Sequence, residues 1–308
     1  MPRLPLILSL CLLLPYAPAP TTAPGPRDSL VVSTAWLAAH LHDPNLVILH
    51  VGDKARYDSK HIPGARRVAL ADISVSDHSA TGLMLEMPPA EELRHRLEAL
   101  GLSDASRAVV VFDQDWVSPA TRVMFTLDHA GLGDRSSLLD GGLNAWTKEG
   151  REVTADVPPA KPGTLSPLKL RPIVVDAAYV RANLVTPGVA IVDGRASSLY
   201  DGVETGGSHD QPHKTGHVAG AHSVPFTAIA DDNGMLRPPQ ELESLFTKAG
   251  VKPGDTVVGY CHIGQQATAM LFAARTLGHK VVLYDGSFED WSRRTGYPTE
   301  NPAVKDRK

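Results

Sequence analysis

Along the chain, short runs rich in Val, Ile and Leu alternate with stretches whose apolar residues recur at helical spacing. The runs "LVILHV", "VAIVDG", "AVVVF", "TVVGY", "SLLD" and "VVLY" read as buried strands. The stretches "AEELRHRLEAL" and "QELESLFTKAG" read as amphipathic helices. Each is announced by Pro-Pro and closed near Gly101 or Gly250. Strands alternating with helices predict a parallel sheet covered on both faces, an α/β fold.

The pattern occurs twice. "NLVILHVGDKARYDSKHIPGARRV" (45–68) matches "GVAIVDGRASSLYDG" (188–202) followed by "GHVAGAHSV" (216–224). "PPAEELRHRLEALGL" (88–102) matches "PPQELESLFTKAGV" (238–251), and "RAVVVFDQDWVSPATRVM" (107–124) matches "DTVVGYCHIGQQATAM" (255–270). "SLLDGGLNAWTKEG" (137–150) matches "VLYDGSFEDWSRRTG" (282–296). Four segments in one order at a nearly constant offset make two tandem domains, expected at 28–150 and 173–300. Residues 151–172, proline-rich and without periodicity, are the expected linker.

Composition narrows the function classes. The chain of 308 residues carries a net charge of -4 with both signs interspersed, so no basic face for nucleic acid is expected. No phosphate-binding glycine fingerprint occurs, and no organic cofactor or metal is expected. At the N-terminus, Arg3, an apolar run from Leu4 to Leu14 and then small residues and prolines have the layout of a secretory signal peptide. Residues 1–23 are assigned to it, which implies an exported protein, periplasmic or secreted, without stable membrane insertion. Cys11 is then an ordinary apolar residue of the signal. The mature chain keeps one thiol, Cys261, with no internal disulfide partner.

Cys261 directly follows the strand "TVVGY" and precedes "HIGQQ" and a helical stretch. Ligands of parallel sheets gather outside the carboxyl ends of the strands. A loop entering a helix also aims several backbone N–H groups at one point. The thiol there is expected to ionise more readily than a free cysteine and to act as a nucleophile whose product anion the amides stabilise.

These residues, with "IVDGR" (191–195), the pair "HIPGA" (61–65) and "HVAGA" (217–221), and "YDGSFEDW" (284–291), resemble the tandem-domain rhodanese family of sulfurtransferases over nearly the whole mature chain. The resemblance implies two rhodanese-like domains and sulfur transfer through a Cys261 persulfide. The donor would be thiosulfate first, or 3-mercaptopyruvate, and the acceptor cyanide or another thiol. It implies that His262, Ile263, Gly264, Gln265, Gln266 and Ala267 line the pocket, with Asp193 and Arg195 in support. In the first repeat it sets Asp113 at the place of Cys261, His50 at Asp193 and Gly52 at Arg195, so that domain would be non-catalytic. Two departures bear on the donor. Leu199 stands where such enzymes carry a basic residue, and Ile263 where thiosulfate-type loops often carry lysine. The insertion 203–215 brings His209, His213 and Lys214, and His213 or Lys214 is expected to fold over the cleft and supply the missing charge. His217 matches the family's structural histidine. Trp146 and Trp291 are expected in the core, and Trp116 in the first domain's loop without a role in chemistry. A tyrosine-type phosphatase would need arginine where Ala267 stands. An exported persulfide carrier or redox sensor without small-molecule turnover would need the same loop as the enzyme.

Overall fold

A computed structural model describes residues 25–79, 81–113, 117–159, 161–206 and 214–305. The assigned signal peptide, Trp116, His209 and His213 lie outside them. Helices are labelled α1 (Pro26–Leu30), α2 (Thr34–His40), α3 (Lys54–Ser59), α4 (Ala90–Ala99), α5 (Ser118–His129) and α6 (Gly142–Lys148) in the first half. Its strands are β1 (Val31–Val32), β2 (Leu46–Val51), β3 (Arg66–Val68), β4 (Arg107–Phe112) and β5 (Ser136–Leu139). The second half holds helices α7 (Ala177–Ala182), α8 (Ser197–Tyr200), α9 (Pro239–Lys248), α10 (Gln266–Thr276), α11 (Ser287–Arg293) and α12 (Pro302–Lys305). Its strands are β6 (Val174–Val175), β7 (Val189–Asp193), β8 (His217–Val218), β9 (His222–Ser223), β10 (Thr256–Tyr260), β11 (Val281–Tyr284) and β12 (Thr299–Glu300).

Each half forms a five-stranded sheet, ordered β1-β5-β4-β2-β3 and β6-β11-β10-β7-β9, with all pairs parallel. The fold class is α/β, as the alternation of elements predicts. One sheet face of each half packs under a helix carrying a tryptophan: Trp146 of α6 in the first, Trp291 of α11 in the second. Both indoles are buried and donate to a backbone carbonyl, of Glu152 and Pro298 respectively. The other two faces join in one continuous core across the domain boundary, with α5 and α10 packed together at its centre. Both helices are buried on nearly every side; α10 is accordingly almost all apolar or small, whereas the polar residues of α5 are buried with it.

The linker is tied down. Thr154 pairs with His61 in a short bridge, Leu165 is buried, and Gly163 N–H donates to Glu98 O. The histidines of the two "H-x-x-G-A" segments do matching structural work. His61 stacks on Tyr57 and bonds its carbonyl at 2.8 Å; His217 does the same with Tyr200 at 2.8 Å.

Candidate active site

Cys261 sits one residue past the end of β10, fully buried. The chain then turns through His262–Gln265 into α10. Gly264 has φ +79, a left-handed conformation that suits glycine. A Cβ there would also come within 2.9 Å of Asp285 O and 3.0 Å of Arg122 Nη1, so the position is closed to larger residues on two counts. Ala267 is buried, and His262, Ile263, Gln265 and Gln266 are half-buried. Burial pushes the Cys261 thiol above its ordinary pKa, while the N–H groups of Ala267, Ile263 and Gln266, aimed at the sulfur, oppose that shift. The nearby Asp193 carboxylate adds to it. This corrects the expectation of a readily ionising thiol: removing the sulfur from water outweighs the amide ring.

Beneath the cysteine, Asp193 and Arg195 form a fully buried fork. Arg195 Nη2 and Nε donate to the carboxylate at 2.6 to 3.1 Å, and Nη2 also reaches Gly216 O at 2.7 Å. The guanidinium lies over the Phe288 ring at 4.1 Å. Tyr260 shares this pocket and accepts the Val218 N–H through its hydroxyl. All these bonds are internal, so the pair braces the strand end beneath the sulfur.

Sheet register revises the match between the two repeats. Asp193 lies across from Tyr260, and His50 lies across from Val111. The residue at the place of Cys261 is therefore Phe112, not Asp113. Side-chain direction agrees: Phe112 and Cys261 face the shared core, while Val111 faces α6 and Tyr260 faces α11. β4 runs six residues against five in β10, and matching the aromatic pair Phe112 and Tyr260 hides that extra residue. His50 and Gly52 do match Asp193 and Arg195. Asp113 fills the room that Gly52 leaves and bonds His50 at 3.2 Å, reversing the order of the acid–base pair in the second domain.

Three contributors escaped sequence reading. Ser287 accepts the Cys261 N–H at 3.2 Å and donates to Tyr284 O at 2.9 Å. The next two amides, of Phe288 and Glu289, donate to the carbonyls of Cys261 and His262, both at 3.0 Å. Arg122 crosses from α5 of the first domain: its Nη1 donates to Gly264 O at 3.1 Å and to Asp285 Oδ1 at 2.7 Å, and its Nη2 to Leu85 O. Asp285 also accepts the Met87 N–H at 2.6 Å. A trans peptide sets C=O and N–H in opposite directions. Holding Gly264 O on Arg122 therefore turns the Gln265 N–H away from the domain boundary.

Lys214 does not reach over the cleft, contrary to expectation. Its ammonium donates to Arg294 O at 2.9 Å and Tyr297 O at 2.8 Å, beyond the end of α11. Leu199 and His262 do converge, both lying close to Gly206 of the insertion. Among the described residues no group of three His, Cys, Asp or Glu side chains is placed to hold a metal ion. None of the described helices is long and apolar enough to cross a membrane.

A buried cysteine at the end of a central parallel strand, a loop of inward amides and a twofold repeat of the sheet raise the question of ancestry. The rhodanese-like domain model matches twice, over residues 33–149 and 176–294. The chain belongs to the tandem-domain rhodanese family. It is a rhodanese-type enzyme. A probable 3-mercaptopyruvate sulfurtransferase of Pseudomonas aeruginosa is 32% identical over 275 residues, 85% of this chain and 94% of the relative. A thiosulfate sulfurtransferase of Azotobacter vinelandii is 29% identical, covering 88% and 97%. A sulfur carrier protein, TtuD of Thermus thermophilus, is 28% identical, covering 88% and 96%. Among solved structures, an anaerobic ergothioneine biosynthesis enzyme from Chlorobium limicola superposes with TM-score 0.77 at 21% identity, over 89% of this chain and 71% of its own; it shares the fold.

Proposed function

We propose that the second domain moves a sulfane sulfur through a persulfide on Cys261, with thiosulfate as first donor and 3-mercaptopyruvate as the alternative. The Cys261 thiolate attacks the outer sulfur of thiosulfate. The donor's S–S bond breaks, and sulfite leaves with the electron pair. Cyanide or a thiolate then attacks the outer sulfur of the persulfide, and the Cys261 thiolate returns as leaving group. The observation that carries this reading is the placing of the Cys261 sulfur against the N–H groups of Ala267, Ile263 and Gln266. Those amides suit a negative sulfur better than the neutral thiol that burial favours at rest. Phe112 and the His50–Asp113 pair give the first domain no sulfur nucleophile at the matching strand ends, so it is a non-catalytic scaffold. Asp193 and Arg195 hold the strand end, and His262 and Leu199 flank the pocket mouth. The N-terminal segment makes the protein an exported one.

The likeness to a sulfur carrier favours one other reading, a persulfide carrier that hands its sulfur to one partner. Sulfur transfer from thiosulfate and from 3-mercaptopyruvate to cyanide, compared with Cys261→Ala, separates them. Turnover lost in the variant supports the enzyme. A reactive thiol without turnover supports the carrier, and activity surviving in Cys261→Ala rules out both.

A further inference from the structure

Ser287 is one of two non-glycine residues with positive φ among those described, at φ +54. Its counterpart in the first repeat is Gly142, at φ +55. The same positive φ thus occurs at this place in both repeats, although the residues before it differ, Gly141 at φ +69 and Gly286 at φ -60; it falls once on the residue that adopts it freely and once on a residue that does not. Such strain persists where the surroundings over-determine it, and it gathers at functional sites. The second domain gains one thing from the side chain: a hydroxyl that accepts the Cys261 N–H at 3.2 Å and donates its own O–H to Tyr284 O at 2.9 Å. In the first domain the matching glycine sits against the backbone of Phe112, at Cys261's place, where a Cβ would overlap the Phe112 carbonyl. Serine therefore occurs in the repeat that holds the cysteine, and glycine in the repeat that lacks it.

We propose that Ser287 is a positioning residue for Cys261, kept in a strained backbone so that its hydroxyl fixes the peptide leading into the cysteine. The inference rests on Cys261 being the reactive thiol. With the Cys261 N–H held on one side, and its carbonyl held by the Phe288 N–H, the sulfur has one approach to the amides of Ile263, Gln266 and Ala267. The hydroxyl touches backbone only; it neither donates to the sulfur nor takes a proton from it.

The decisive variant is Ser287→Gly, which removes the hydroxyl and relieves the backbone together. A merely structural serine predicts unchanged chemistry in a folded protein. A positioning serine predicts a thermal midpoint equal to or above that of the parent, with Cys261 alkylation by iodoacetamide and kcat for sulfur transfer each down roughly tenfold and KM for the donor unchanged. Ser287→Ala, which keeps the strain without the hydroxyl, should be as slow and also less stable. Parent-like alkylation and kcat in Ser287→Gly would overturn the proposal. So would a fall in its midpoint or failure to fold, because the hydroxyl would then be a strut of the fold. Alkylation reads the thiol itself, so this comparison decides even if thiosulfate and mercaptopyruvate prove not to be donors.

Discussion

The hydroxyls of Thr121 and Thr268 meet 3.0 Å apart between α5 and α10. They are the same residue of the two repeats, so an approximate twofold axis passes between them. The exchange extends outward from this point. Met87 of the first domain donates its N–H to Asp285 of the second, and Leu236 of the second donates its N–H to Asp140 of the first at 2.8 Å. Each domain therefore closes the last strand end of the other, and Arg122 breaks the symmetry by entering the cysteine loop.

Loss of Arg122 should cost both stability and activity. Arg122→Ala leaves the Asp285 carboxylate buried without its cation, a change worth about 3 to 5 kcal/mol in unfolding free energy. Arg122→Lys restores the charge and should recover much of the stability. Its single nitrogen replaces a forked group that reaches Gly264, Asp285 and Leu85, so sulfur transfer should stay below that of the parent. Urea titration and initial rates check the two halves of this expectation.

Glu86 supplies a pH dependence. Its carboxyl is driven up to about 8 by burial first, then by Asp285, with Asp290 and Glu289 adding to the rise and Arg122 opposing it. The folded pKa lies above that of the unfolded chain, so the native state holds the extra proton between about 4.5 and about 8. Its contribution is fully present below the unfolded value and is lost as pH rises through the folded one. Glu86→Gln should therefore stabilise little at pH 5 and most at pH 9. Equal gains at both values, in chemical denaturation, would contradict this.

Cys261 should alkylate slowly at neutral pH for the same kind of reason. Burial holds the thiol protonated beyond the ordinary cysteine range, so the rate with iodoacetamide should still be climbing at pH 9. A plateau below pH 8 would show that the amides of Ile263, Gln266 and Ala267 outweigh burial.

Leu199 offers a gain of function. It lies beside Gly206 and near His262, at the edge of the cysteine loop. If the proposed anionic donor enters there, Leu199→Arg adds a cation to its path, and kcat/KM for thiosulfate should rise roughly tenfold, the scale of one hydrogen bond to a charged group. The unfolding free energy should stay within about 0.5 kcal/mol of the parent's, as for a surface substitution. Initial rates and chemical denaturation check the two.

Much of this architecture is legible in the sequence. The repeats, the Pro-Pro helix starts, the His61 and His217 pair and the cysteine loop all leave local signatures: periodicity, punctuation, or a residue type at a fixed spacing. What the sequence hides is relational. One extra residue in β4 flips side chains between faces, and the aromatic match of Phe112 with Tyr260 conceals it. Ser287 looks like an ordinary turn residue until its φ is known. Arg122 reads as one of several polar residues of α5, because its partners belong to other segments. The thiol's resistance to ionisation comes from burial by the whole fold, which the loop alone does not encode.

The meeting of α5 with α10 also sets what each half would be if cut free. α10 exposes, once its partner helix is removed, a face of Thr268, Leu271 and Phe272 that is now covered. A severed second half would carry that sticky face together with an Asp285 stripped of its counterion. It would be drawn to pair with a second copy of itself, recreating the twofold contact at Thr268 while placing an alanine, Ala269, where each cysteine loop requires an arginine.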